Sequence, residues 1–291
     1  LSDGRTEIIT KIGGGPNGAA IGPDGACYIC NNGGFEWEQD TLSGRIRPIR
    51  QADDYDTGRI ERVDLATGNV ERLYDRCGNH KLNGPNDLVF DQKGNMWFTD
   101  LGKARVRDMD RGSVYWARPD GTEMDSIMAG GMDNPVGMAF SETGEVFFTT
   151  TFFNHPRSGN RDALVHAVYG GLYPKNWSIL DKLTRTGDLM PPLSHLGPAA
   201  PCGLTAYESE VFGKDFKGNL FTAQFNMHKV QRHVLSPSGA TFTARDIDFM
   251  VSDNPDFHPT DVFEDADGSL LVVDTGGWYK LCCPTSQIAK P

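Results

Sequence analysis

The chain has 291 residues, 38% of them hydrophobic and 23% charged, with 34 Gly and 17 Pro. That is a globular composition with ample turn residues, long enough for one large all-β domain. The formal net charge of −11 argues against nucleic acid as a partner, because phosphate binding needs clustered Lys and Arg, and no run approaches the length of a membrane-spanning helix.

In chain order, Arg5–Ile12 alternates polar and apolar residues as a half-exposed strand does. It has no hairpin partner of its own. Pro16-Asn17-Gly18 then opens a short run that turns at Gly25 and returns through ACYICN. A polar loop is expected from about Asn31 to Thr57, followed by an outer hairpin of Gly58–Asp64 and Asn69–Asp75.

The plan repeats. Pro85-Asn86-Asp87 leads to Gly94 and NMWFTD, then to Gly112–Arg118 and Met124–Met128. Pro135-Val136-Gly137 leads to Gly144 and EVFFTT, with Ala163–Tyr169 strand-like and Phe152–Arg161 and Tyr173–Pro192 irregular. Pro201-Cys202-Gly203 has a longer loop before NLFTAQF, then Lys229–Leu235 and Ala240–Asp246. Pro259-Thr260-Asp261 leads to Gly268, SLLVVDT and a last run at Trp278–Leu281.

In four of the five units the Pro-to-Gly interval is identical, and a Gly between two short apolar runs supplies the positive φ of a tight turn. Long-period self-similarity with four strands per unit predicts a β-propeller. We therefore expect one all-β domain over residues 1–291, with five blades readable and the Arg5–Ile12 strand closing the ring by completing the last one.

The six cysteines fit no disulfide framework. Cys27 and Cys30 lie three apart in a strand and so point to opposite faces, and Cys282-Cys283 read as ordinary thiols. Asp53-Asp54-x-Asp56 matches a calcium loop only loosely, lacking its Gly and terminal Glu. No basic start followed by an apolar stretch is visible, so cytoplasm is the default compartment. Nothing indicates an oligomeric state.

GGGPNGAAIGPDG, NGPNDLVFDQKGNMWFTD and GRIERVDLATGNVERLYD resemble the SMP-30/gluconolactonase/luciferin-regenerating-enzyme family. That resemblance implies a six-bladed propeller whose channel holds a divalent cation, typically calcium, and hydrolyses lactones or other esters. The second half, with NPVGMAFSETG and DFHPTDVFEDADGSLLVVDTGGWYKLCCPTSQ, is similar to propellers described as membrane-bound dehydrogenases, although no CxxCH haem motif is present.

Residues just after each anchor Pro should point toward a shared axis. The first position carries Asn17, Asn86, Val136, Cys202 and Thr260, and the next Gly18, Asp87, Gly137, Gly203 and Asp261. By resemblance, Asn86 matches the family's substrate-side Asn. Its metal-binding Asn falls on Val136, with Asn134 two residues early, and its metal-binding Asp falls on Thr260, with Asp261 one residue late.

The expected site is therefore a cation held by Asn86, Asn134 and Asp261, substrate contacts from Asn86 and Asn17, and acid–base chemistry from Asp87, Asp261 or His258. The same Asn and Asp residues are equally suited to capping strand ends. A small-molecule lactone hydrolase is the leading reading. A quinoprotein-like sugar dehydrogenase and a non-catalytic binding propeller are the alternatives.

Overall fold

The computed structural model describes residues 5–103, 112–129, 134–151, 162–171, 173, 184 and 190–278. Strands β1 (Pro16–Ile21) and β2 (Cys27–Asn31) form the first inner hairpin. An excursion follows, with β3 (Phe35–Gln39) paired to β4 (Ile46–Gln51). The first sheet is then completed by β5 (Arg59–Val63) and β6 (Val70–Tyr74), in the order β1-β2-β5-β6. A two-residue ladder, β7 (Arg76–Cys77) with β8 (His80–Lys81), leads to the second unit.

The second sheet is β9 (Pro85–Phe90), β10 (Met96–Asp100), β11 (Ser113–Ala117) and β12 (Met124–Ala129). The third is β13 (Met138–Phe140), β14 (Val146–Thr151), β15 (Asp162–His166) and β16 (Ser194–Gly197). The fourth is β17 (Pro201–Ala206), β18 (Leu220–Gln224), β19 (Lys229–Ser238) and β20 (Thr241–Val251), and the fifth shows β21 (Pro259–Glu264) with β22 (Leu270–Asp274). All pairings are antiparallel, as short hairpin connections require.

The inner strands β1, β9, β13, β17 and β21 pack against one another in that order. The apolar core lies between consecutive sheets rather than in one centre. Tyr28 and Ile60 meet Leu88 and Phe98, Val114 meets Phe148, Leu164 meets Leu204, and Phe221 meets Val262. Period-two alternation explains how one strand serves two interfaces: Val146 and Phe148 face the second sheet while Phe147 faces the fourth. The outermost faces of the series keep apolar side chains exposed, among them Ile21 and Val273.

Two expectations are corrected. Arg5–Ile12 is irregular and pairs in no sheet, and its Ile9 carbonyl lies against Gly68 in the turn between β5 and β6. Among the described residues it borders the first sheet, because an alternating pattern specifies a strand-like segment but not its partner. The predicted polar loop before Thr57 contains the β3–β4 hairpin, held by cross-strand pairs Glu36–Arg50 at 2.6 Å and Glu38–Arg47 at 2.7 Å.

The outer strands β5, β6, β11, β12 and β15 fall where expected, β19 and β20 run longer, and β16 was not anticipated. Trp278 ends a single 3-10 turn, Gly276–Trp278; residues 279–283, Phe152–Arg161 and most of Tyr173–Pro192 lie outside the described residues. Among the described residues no helix is long and apolar enough to cross a membrane.

Candidate active site at the inner strands

Three of the five inner strands are tied at their start by the residue opposite the anchor Pro. Asn31, Asp100 and Asp274 pair with Pro16, Pro85 and Pro259, and their side-chain oxygens accept the backbone N–H just before each Pro, from Gly15 at 2.9 Å, Gly84 at 2.7 Å and His258 at 2.8 Å. The same structural bond thus recurs at Asp100 and Asp274. Threonines join neighbouring sheets: Thr99 accepts Asp87 N–H and donates to the Val136 carbonyl, while Thr149 accepts Gly137 N–H and donates to the Cys202 carbonyl. Sequence reading passed over these threonines, whose only signal was their place in WFTD and FFTT.

The ladder register slips near the start of β1, β9, β17 and β21. Such bulges re-aim side chains, and they separate the expected site residues into two levels. At the level of the anchor Pro residues, Asn17 Nδ2 donates to Asn86 Oδ1 at 2.5 Å, and Asn86 Nδ2 donates to Asn134 Oδ1 at 2.9 Å and to the Pro135 carbonyl at 2.7 Å. A carbonyl only accepts, so the orientation of the Asn86 amide is chemically determined. The three asparagines link the first, second and third sheets, with their facing oxygens already engaged.

One residue further along, Asp87 and Asp261 line a cavity of about 1320 Å³ walled by all five inner strands. Asp87 Oδ1 accepts Leu88 N–H at 2.9 Å and Asp261 Oδ1 accepts Val262 N–H at 2.8 Å, leaving each a second oxygen. Burial pushes the Asp87 carboxyl up to about 7, and the Asp261 charge adds to it. Burial also raises Asp261. No cation pairs with either carboxylate among the described residues.

Glycines make this level possible. A Cβ on Gly18 would collide with Asp87 Oδ1, and one on Gly203 with Asp261 Oδ1. A Cβ on Gly137 would stand 2.5 Å from Leu204 N and 2.7 Å from the Cys202 carbonyl. The cavity beyond is negative: its described lining has seven acidic residues against Lys93. Trp97, Phe140 and Phe263 add apolar surface.

His258 does not join Asp87 and Asp261 in the cavity lining. It is buried against Phe225 and His228, with ring centroids 4.3 and 5.0 Å away. Lys103, which sequence reading did not single out, is buried just after β10 with its amine 4.0 Å from the Phe35 ring and 4.9 Å from that of Tyr55. Burial holds its pKa down to about 8. Asp53 and Asp56 are paired with Arg50 and Lys81 instead of converging on a cation, and Cys27, Cys30, Cys77 and Cys202 are free thiols.

The donor set bears on the expected cation. Among the described residues no three His, Cys, Asp or Glu side chains cluster as a metal site, and Asn86 and Asn134 spend their facing groups on each other. Asp87 and Asp261 are the carboxylates that fit a hard cation, since they are desolvated and share the same cavity without a positive partner.

A sequence model of the SMP-30/Gluconolactonase/LRE-like region matches residues 2–154, and one for a domain of unknown function (DUF7133) matches residues 85–282. A gluconolactonase from Zymomonas mobilis is 28% identical over 134 residues, which is 44% of this chain and 31% of that protein. The match thus spans well under half of that relative.

Among solved structures, a glucose dehydrogenase aligns with TM-score 0.60 at 15% identity, covering 90% of this chain and 80% of the other. The PQQ-bound aldose sugar dehydrogenase of Streptomyces coelicolor aligns with TM-score 0.53 at 14% identity, covering 88% and 86%. At such identities the likeness is one of fold, an all-β propeller-like array of radial sheets. The chain belongs to the SMP-30/gluconolactonase/LRE-like family, and its residues 85–282 also to the DUF7133 family.

Proposed function

We propose that the chain hydrolyses a neutral lactone or related ester in the cavity lined by the inner strands. The observation that carries this reading is the pair Asp87 and Asp261, two desolvated carboxylates on one cavity, one of which keeps its proton to about pH 7. Neighbouring carboxylates whose proton affinities are pushed apart divide into an acid and a base. Asp261 takes a proton from water as its oxygen forms the bond to the lactone carbonyl carbon. Asp87 gives its proton to the ring oxygen as the acyl C–O bond breaks, and the product is a hydroxy acid. The negative lining accepts a neutral substrate and repels the carboxylate formed from it.

Family membership and the part-length gluconolactonase relative support the reaction class. A divalent cation, calcium in the family resembled, would be held by the ionised forms of Asp87 and Asp261, and would then supply polarisation of the carbonyl in place of the Asp87 proton. The Asn17–Asn86–Asn134 ladder would brace the level of the anchor Pro residues and offer the exposed Asn17 amide to substrate. His258 has no role in this reaction. The wider expectation of a closed ring belongs to the same proposal, supported by β1 and β21 both contributing to the cavity wall.

The test is hydrolysis of neutral sugar lactones at fixed ionic strength. Asp87→Asn and Asp261→Asn should each lower kcat/KM by about 10²-fold or more. The wild-type rate should fall as pH rises above about 7 and Asp87 loses its proton. Lactone hydrolysis unaffected by both substitutions would overturn the assignment.

A further inference from the structure

Outside the cavity, two histidines meet where the turn after β18 approaches the chain leading into β21. His228 Nδ1 lies 2.6 Å from the Phe257 carbonyl and His258 Nδ1 3.0 Å from the Gly276 carbonyl. A carbonyl oxygen can only accept, so each Nδ1 carries the hydrogen and each neutral ring presents an Nε2 lone pair. Neither Nε2 makes a well-aligned hydrogen bond among the described residues, although the Asp256 backbone also approaches the His258 ring. Imidazoles that ligate metals are held in this way, with the distal N–H fixed on a carbonyl or carboxylate.

The spacing agrees. The ring centroids are 5.0 Å apart with planes inclined at 56°. With metal–nitrogen bonds of about 2 Å and near-tetrahedral angles, two imidazoles on one ion have centroids about 5 Å apart. Phe225 backs the His258 ring at 4.3 Å, so the pair has little freedom to turn away.

The backbone makes a third, independent observation. His228 has φ +52°, and only Ala200 shares a positive φ among the described non-glycine residues. It ends the 3-10 turn Phe225–Met227 in the left-handed region, which few side chains adopt, although His does so more readily than most. That conformation brings the His228 ring to His258, and such outliers gather at binding sites. Burial, with His228 beside it, holds the His258 pKa below its ordinary value, which favours the neutral ring at neutral pH.

We propose that His228 and His258 form a two-imidazole site for a divalent transition ion of the Zn²⁺, Ni²⁺ or Cu²⁺ class, with its remaining coordination positions open to water or an oxygen ligand. The donor type separates it from Asp87 and Asp261: imidazole nitrogen suits these ions, and carboxylate oxygen suits calcium.

The probe is Cu²⁺ added to the purified full chain, read by electron paramagnetic resonance. One equivalent should bind with coupling to two imidazole nitrogens. His258→Gln and His228→Asn, the latter keeping a residue that tolerates the left-handed backbone, should each weaken binding at least tenfold and remove one nitrogen. Zn²⁺ should displace the copper, and millimolar Ca²⁺ should not. A wild-type spectrum without nitrogen coupling, copper displaced by Ca²⁺, or folded variants that bind as tightly as wild type would each overturn the site. Should a variant fail to fold, the wild-type spectrum and the Zn²⁺ and Ca²⁺ competitions decide by themselves, and none of these readouts depends on lactone hydrolysis.

Discussion

Asp87 and Asp261 stand at the same place in their repeats, two residues past the anchor Pro, where the other three units carry Gly18, Gly137 and Gly203. Position alone made both legible in the sequence. Their ionisation was not, because it depends on how the inner strands desolvate them. Since Asp87 is raised in the folded chain to about 7 from an ordinary 3.8, its protonated form contributes stability that is complete below about pH 4. That stability is lost as pH rises through 7. Asp87→Asn cannot ionise and can still accept Leu88 N–H. In metal-free buffer it should leave the urea midpoint unchanged near pH 4 and raise stability by about 1–2 kcal/mol at pH 8, below the ~4 kcal/mol ceiling of a three-unit shift because Asp87 is partly accessible. A substitution equally neutral at both pH values would show that the carboxyl is not perturbed.

At the scale of elements, hairpins marked by a Pro and a Gly at fixed interval were readable because turn chemistry is local. Gly25, Gly94, Gly144 and Gly268 all take the positive φ predicted for them. The β3–β4 hairpin was not readable, since Glu36–Arg50 and Glu38–Arg47 pair charges that look like an ordinary polar loop in one dimension. The bulges at the strand starts were equally hidden, yet they decide that Asp261 rather than Thr260 faces the cavity. Close approach of inner strands depends on Gly137, whose missing Cβ leaves room for the Leu204 and Cys202 backbone. Backbone cannot swing aside as a flexible side chain can. Gly137→Ala should therefore destabilise the fold by about 1–3 kcal/mol in urea unfolding. Gly13→Ala, with nothing within 4 Å, should stay within about 0.5 kcal/mol. Equal effects of the two would mean that the third and fourth sheets are not packed at this level.

For the whole molecule, the repeats in the sequence became a series of antiparallel sheets, but the irregular course of Arg5–Ile12 was beyond reach because an alternating pattern says nothing of what the segment meets. The array also explains how distant residues come to share a cavity: Asp87 belongs to the second sheet and Asp261 to the fifth, which are not neighbours in the series. A cation held by both carboxylates would therefore join two sheets that no hairpin connects. Binding to the folded state alone stabilises it by about 2.7 kcal/mol at a hundredfold excess over Kd, a rise of roughly 5–10 °C in Tm for a domain of this size. Because the ligands must be deprotonated, the rise should be large at pH 8 and small at pH 5.5, where Asp87 holds its proton. Asp261→Ala should abolish the response at both pH values, while His258→Gln should keep it. A wild-type Tm indifferent to millimolar calcium at pH 8 would remove the cation from the site and leave Asp87 and Asp261 to act as a bare acid–base pair.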